Sequence, residues 1–409
     1  MMLRLSILVI SFYFPPYDKV GGRRWAKHCK YLKKENINFE VLCGDFKGTS
    51  AWDKDLQSYQ GQVHRVDIKR KYWPYHLRIL PRNFPEKIYW KLSLKFWEWK
   101  RTRLQGNYFD VSAGSEDLFF RRAASLLRSN NINVVILSCG PFKYSIILAR
   151  LKKEFPQLKF IIDFRDYWED VHAGLTENQI EYEKKLQREV LDSVNLILSP
   201  NSEMEKHYAS TGKPSYLLPH CFDADDLQMA TKKTELNKSV INLLYGGAFY
   251  AGLEENIELV KKFVDALNGA RPSKVEFYVS IKGYENALNH PHISRYGFIN
   301  TDEYFKKIQE ADYVLLILPP NRVNAMSSKF FELVAMRKPI LYFGGRGAVS
   351  EYIEKFELGF HITAYSLDEK IEQVLRNISK KAVPDLSYDI SAHSFEYQTK
   401  RLIKQLQLL

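Results

Sequence analysis

Ser327-Ser328-Lys329-Phe330-Phe331-Glu332-Leu333-Val334-Ala335-Met336-Arg337-Lys338-Pro339-Ile340-Leu341 is the stretch from which both fold and chemistry are read. An apolar run at 313–318 precedes it, followed by a loop at 319–326. Ser327 or Ser328 can cap a helix there, and Phe330, Val334 and Ala335 supply its apolar stripe. Ile340 then opens a second apolar run, 340–343. Strand, helix and strand in this order form the repeating unit of a parallel sheet. Lys329 and Glu332 lie three apart on one face, near the positive end of the helix dipole. Free N–H groups, two hydroxyls and a lysine suit a diphosphate. A nearby carboxylate can accept hydrogen bonds from a ribose diol. The plainer alternative is a capped helix with a solvated Lys/Glu pair. A capping box would need Ser or Thr at 329, so capping does not explain Glu332.

Outward from this unit the same alternation recurs. Apolar runs at 5–10, 39–42, 134–138, 160–163 and 196–199 read as buried parallel strands, with helices at 23–34, 144–154 and 178–191 between them. A second series follows residue 240, with strands at 243–245, 275–279, 313–318 and 340–343 and helices at 256–267, 302–310 and 328–336. The spacing predicts two Rossmann-like α/β domains, as 409 residues are too many for one typical core. The boundaries are 1–220 for the first domain, 239–393 for the second, and a charged linker at 221–238. A last helix at 394–409 returns to the first domain.

Cys29, Cys43, Cys139 and Cys221 are scattered and form no C-x-x-C pair, which fits a reducing cytoplasm. The ten histidines form no metal-spaced cluster, and no Ser/His/Asp triad can be assigned. Residues 1–10 read as a buried first strand, because the run lacks the length and cleavage site of a signal peptide. No apolar run approaches the ~18 residues that span a bilayer. These readings place the protein in the cytoplasm.

Two further loops carry chemistry. Gly21 and Gly22 lie between the first strand and the helix that follows, where the lack of Cβ lets a phosphate or sugar approach. A flexible turn is the alternative. Arg23 and Arg24 are either anion contacts or a solvated pair. Asp163-Phe164-Arg165-Asp166 lies at a strand end, with alternate residues pointing to opposite sides. A structural Asp–Arg ion pair is the competing reading there.

The segment Ser328-Lys329-Phe330-Phe331-Glu332 through Lys338-Pro339-Ile340-Leu341 resembles the donor-binding signature of bacterial family-4 glycosyltransferases, which have the GT-B fold. Ser11-Phe12-Tyr13-Phe14-Pro15-Pro16 with Gly21-Gly22-Arg23-Arg24 resembles that family's first strand, loop and helix. Asp163-Phe164-Arg165-Asp166-Tyr167-Trp168 is similar to a D-x-R-D-x-W element of a branch found in surface-polysaccharide assembly. With Gly246-Gly247, the correspondence runs in order over nearly the whole chain. The resemblance implies two domains facing a cleft and retaining transfer of a sugar from a nucleotide diphosphate sugar to an acceptor hydroxyl. A lipid-linked or saccharide acceptor is implied, and no cofactor or metal. Asp223-Ala224-Asp225, although it has the form of a DxD motif, is read as surface.

Three positions depart from the family pattern. Arg165 stands where many members carry a histidine, so Asp166 and Arg165 become the catalytic candidates. Asn324 replaces the first of two glutamates separated by seven residues; the second corresponds to Glu332. Ala248-Phe249-Tyr250 replaces a common Arg/Lys pair, so the diphosphate charge falls to Arg322, Lys282 or Lys329. The donor set is then Gly21, Gly22, Gly247, Lys282, Arg322, Ser327, Ser328, Lys329 and Glu332, and Asn324 joins the catalytic candidates.

Net charge is +12, partly concentrated at 69–103, where basic residues alternate with aromatic ones. Such a segment has three readings: contact with an anionic membrane surface, contact with nucleic acid, or a plain amphipathic helix packed on its own domain. Ile88, Leu92, Phe96 and Trp99 form a helical row expected to pack on the first domain, leaving Trp90, Leu94 and Trp97 to meet lipid. Two Rossmann domains without a nucleic-acid module argue against nucleic acid. The remaining alternatives are a nucleotide-sugar epimerase on the same fold and a non-catalytic subunit that binds a nucleotide sugar.

Overall fold

The computed structural model describes residues 4–17, 20–68, 81, 83–103, 106–107, 110–227, 239–248, 252–280, 287–297, 299–319, 326–379 and 389–409. The chain divides into two compact units, one of Met1–Pro219 with Thr399–Leu409, the other His220–Gln398.

Among the described residues, the first unit holds a seven-stranded parallel sheet. Its strands are β1 (Ser6–Ser11), β2 (Asn38–Gly44), β3 (Val63–Val66), β4 (Val134–Cys139), β5 (Lys159–Phe164), β6 (Leu196–Ser199) and β7 (Ser215–Leu217), in the order β3-β2-β1-β4-β5-β6-β7. Helices α1 (Val20–Lys34), α2 (Asp53–Leu56), α3 (Phe84–Thr102), α4 (Glu116–Ser129), α5 (Ile147–Glu154), α6 (Glu177–Ser193) and α7 (Ser202–Ala209) accompany them. Alternation along each strand builds two cores. Leu8, Ile10, Val135, Leu137, Phe160 and Ile162 pack with Phe119 of α4 and Leu148 of α5. Ile7, Val9, Val134, Ile136 and Ile161 face the other way, towards Trp25, Cys29 and Leu32 of α1. Burial on both faces is why these strands read as unbroken apolar runs.

Among its described residues, the second unit repeats the plan with six parallel strands. These are β8 (Ile241–Ala248), β9 (Ser273–Ser280), β10 (Ile293–Tyr296), β11 (Tyr313–Ile317), β12 (Ile340–Phe343) and β13 (Gly359–Ile362), ordered β10-β9-β8-β11-β12-β13. Its helices are α8 (Ala224–Leu227), α9 (Glu254–Ala270), α10 (Thr301–Glu310), α11 (Ser328–Ala335), α12 (Ala348–Lys355) and α13 (Leu367–Ser379). Leu243, Phe277, Leu315 and Leu341 meet α9 and α13 on one face. Leu244, Val314, Leu316 and Tyr342 meet α10, α11 and α12 on the other. The final helix, α14 (Phe395–Gln407), places Leu402, Ile403 and Leu406 in the first unit's α1-side core. There Thr399 Oγ1 lies 2.8 Å from His28 Nδ1.

The structure corrects two readings. Asp223 is buried rather than at the surface. Its neighbour Phe222 pairs with Ser394 inside the second unit. In α3 the two rows are reversed. Ile88, Leu92, Phe96 and Trp99, expected to pack on the first domain, are exposed, whereas Trp90, Leu94 and Trp97 are half-buried. Both rows are apolar, so periodicity locates the stripes without saying which one turns inward. Residues 69–80 and 82 of the basic segment lie outside the described residues.

Candidate functional site

In the second unit β8 ends at Gly246-Gly247-Ala248, and α11 begins beyond the end of its neighbour β11. Ser327, rather than Ser328, is the cap: its Oγ accepts a hydrogen bond from the Phe330 N–H at 3.3 Å. Phe330, Phe331, Leu333 and Val334 are buried and hold α11 on the sheet. Ser328, Lys329 and Glu332 stay half-buried on the remaining arc of this eight-residue helix. Anchoring by the apolar arc therefore fixes where the polar first turn can point.

Lys329 extends across two tyrosine rings. Its Nζ lies 5.7 Å from the Tyr245 ring centre and 5.6 Å from that of Tyr304. Such ring faces attract a cation. Among the described residues Lys329 shows no hydrogen bond and no ion pair. Burial pulls its pKa down to about 8, with Glu332 opposing the shift. Burial, reinforced by Tyr245 and Glu332, pushes the Tyr304 phenol well up, so it stays neutral. A Cβ at Gly247 would lie 2.8 Å from Tyr245 Oη and 2.9 Å from Lys329 Nζ, so only glycine admits this arrangement undisturbed. Gly247, Ser327, Ser328, Lys329 and Glu332 thus belong to one small region of one unit. Tyr245 and Tyr304 were not foreseen, because they come from the strand and helix flanking the motif and carry no spacing signal. Lys282, Arg322 and Asn324 lie outside the described residues.

The corresponding strand ends of the first unit are arranged differently. Asp163 is buried and accepts from Arg24 Nε at 2.9 Å, Arg24 Nη2 at 3.0 Å and Trp25 Nε1 at 2.8 Å. Arg24 also donates to the carbonyls of Leu218 and Pro219. Arg23 and Arg24 are both buried, so neither is part of a solvated pair, and Arg24 is committed to the scaffold. Arg165 donates to the carbonyls of Cys139, Gly140 and Gly21, tying the end of β4 to the first turn of α1. A Cβ at Gly21 would lie 3.1 Å from the Tyr13 ring and 3.2 Å from Arg165 Nη1, and one at Gly22 only 2.6 Å from the Tyr17 carbonyl. The close approach these glycines permit is made by the chain itself. Trp168 is buried and donates to Glu183 at 3.1 Å. Asp166 alone of this group is exposed, and among the described residues it shows no hydrogen bond or ion pair.

Asp110 was also not foreseen. It accepts from the backbone N–H groups of Phe142, Lys143 and Ser112 and from the Ser112 hydroxyl. Burial nevertheless holds its carboxyl above the usual carboxylate range.

No family model and no curated protein matches the sequence. Solved structures do match the fold. Sucrose-phosphate synthase from Thermosynechococcus elongatus aligns with a TM-score of 0.63 at 11% identity, over 99% of each chain. A glycosyltransferase from Rickettsia africae aligns at 0.61 and 13%, over 99% of this chain and 98% of its own. The fold is GT-B. UDP-GlcNAc 2-epimerase from Methanocaldococcus jannaschii also aligns, with a TM-score of 0.54 at 10% identity over the whole of both chains. The architecture is therefore one on which both glycosyltransferases and nucleotide-sugar epimerases are built.

Proposed function

We propose that the chain is a glycosyltransferase that moves a sugar from a nucleotide diphosphate sugar to an acceptor hydroxyl. The observation that carries this reading is the first turn of α11, with its cap, Lys329 held over Tyr245 and Tyr304, and Glu332 one turn on. In transfer, the bond from the anomeric carbon to the diphosphate breaks and its electron pair goes to phosphate oxygen. The acceptor oxygen bonds to that carbon and its proton passes to the departing diphosphate. Negative charge therefore grows on the diphosphate, where helix N–H groups and a lysine ammonium offset it. Glu332 accepts from the nucleoside ribose, and Asp166 contacts the acceptor. Arg165 acts as a positioning residue for the loops around it. Retention at the anomeric carbon, a lipid-linked or saccharide acceptor and a role in surface-polysaccharide or glycolipid assembly follow from the resemblance of the motifs. A cytoplasmic setting is supported by the four scattered cysteines, and a place at the membrane's inner face by the basic aromatic segment 69–103.

A thermal-shift series with UDP, GDP, ADP, CMP and dTDP tests the donor site, because a ligand that binds the native state raises its melting temperature. A shift with one nucleotide that Lys329→Ala and Glu332→Ala both reduce is expected. Wild-type shifts in both variants would remove the assignment. The likeness to an epimerase keeps a second reading open, and turnover of a nucleotide sugar with no acceptor present would favour it.

A further inference from the structure

The outward row of α3 makes no use of the first unit's core. Phe84 is 74% exposed, Ile88 47%, Leu92 62%, Phe96 51% and Trp99 51%, with Tyr89 beside them at 61%. At 100° per residue these five lie within an arc of about 120°, and from Phe84 to Trp99 they extend ~22 Å along the helix. Lys91 borders one edge of the arc with Glu98 beyond it, Lys95 lies just inside that edge, and Lys100 borders the other. Residues 84–103 carry Lys87, Lys91, Lys95, Lys100, Arg101 and Arg103 against only Glu86 and Glu98. Trp90, Leu94 and Trp97, on the opposite arc, are half-buried. The exposed aromatics are therefore not a helix that has simply lost its packing.

We propose that α3 lies flat on an anionic lipid surface, with Phe84, Ile88, Leu92, Phe96 and Trp99 in the headgroup and acyl boundary and its lysines among the headgroup phosphates. No helix among the described residues is long and apolar enough to cross a membrane, so the contact is interfacial. An apolar arc bordered by cations is the pattern of a helix in the interface plane, and aromatic rings suit that depth. The cationic border decides between occupants. A second copy would bring lysines against lysines, whereas an anionic surface neutralises them. This surface is independent of the donor site, so either assignment can fail without the other.

Co-sedimentation of the full-length chain with phosphatidylcholine vesicles, with and without 30% phosphatidylglycerol, tests it. Binding only to the anionic vesicles, weakening as salt rises, is expected. Leu92→Glu/Phe96→Glu should lower the partition coefficient at least tenfold with an unchanged melting temperature. Lys91→Glu/Lys95→Glu should remove the preference for phosphatidylglycerol. Trp90→Ala/Trp97→Ala should lower the melting temperature and leave partitioning of the folded protein within about twofold of wild type. Equal binding to both vesicle types overturns the proposal. So does a vesicle-free dimer, seen by sedimentation velocity, that Leu92→Glu/Phe96→Glu dissociates.

Discussion

The two units carry the same βα plan, yet they use charge at their strand ends in opposite ways. At the end of β5, Asp163 is enclosed by Arg24 and Trp25, and Arg165 is held by three backbone carbonyls. At the first turn of α11, Lys329 rests on two ring faces and, among the described residues, forms no ion pair, with Glu332 the one carboxylate that acts on its pKa. A buried pair whose guanidinium makes four hydrogen bonds stabilises a particular loop arrangement. A half-buried cation whose pKa has fallen is stabilised by an incoming anion. The same architecture thus provides a brace in one unit and, on the function proposed above, an anion receptor in the other.

The largest effect should come from breaking the brace. Asp163→Ala leaves the Arg24 guanidinium and the Trp25 indole N–H buried without their acceptor, at a cost of about 3–5 kcal/mol. Urea denaturation read by near-UV circular dichroism measures it, and a loss below ~1 kcal/mol would show that the pair is not a brace. The receptor should respond the other way. Lys329→Ala and Glu332→Ala should each cost about 1.5–3 kcal/mol of nucleotide affinity by titration calorimetry, with the melting temperature held within a few degrees.

A third experiment uses protons. The free lysine is protonated below about pH 8 and increasingly neutral above it. Affinity for a diphosphate should be level below that pH and fall as pH rises through it. Near pH 8 binding should take up protons, giving a heat that depends on the buffer's ionisation enthalpy. That dependence should vanish in Lys329→Met; if it persists, another group is titrating. Gly247→Ala should reduce nucleotide affinity several-fold, because the new methyl displaces flexible side-chain ends rather than backbone. The smallest change in free energy is expected at Asp166, which is exposed. Asp166→Asn should lower kcat/KM for transfer by about 0.5–1.5 kcal/mol while donor affinity and melting temperature stay at wild type. Loss of both would make Asp166 structural.

How far the sequence could be read follows the same physics. All nine strands expected from apolar runs are present. The four that were overlooked, β3, β7, β10 and β13, are the outer strands of the two sheets. Val63-His64-Arg65-Val66 and Ile293-Ser294-Arg295-Tyr296 are largely exposed or half-buried, so nothing requires them to be apolar throughout. The α11 motif was legible because cap, lysine and carboxylate lie within six residues of one another. Tyr245 and Tyr304 were not, since only folding brings them to Lys329. Asp163 and Arg24, 139 residues apart in sequence, show the same limit, as either could have been read as a ligand contact.

The return of α14 to the first unit has a consequence in time. Trp25, Cys29 and Leu32 of α1, with Ile7 and Val9 of β1, share a core with Leu402, Ile403 and Leu406. Between the two parts of that core lies the whole of His220–Gln398. At 5–20 residues per second, roughly ten to forty seconds of synthesis separate Pro219 from Thr399. During that interval the α1 side of the first unit lacks its last cover, while the second unit can already have closed its own sheet. The unit translated first is therefore the one completed last, and its uncovered apolar face is where a chaperone would have reason to bind the nascent chain.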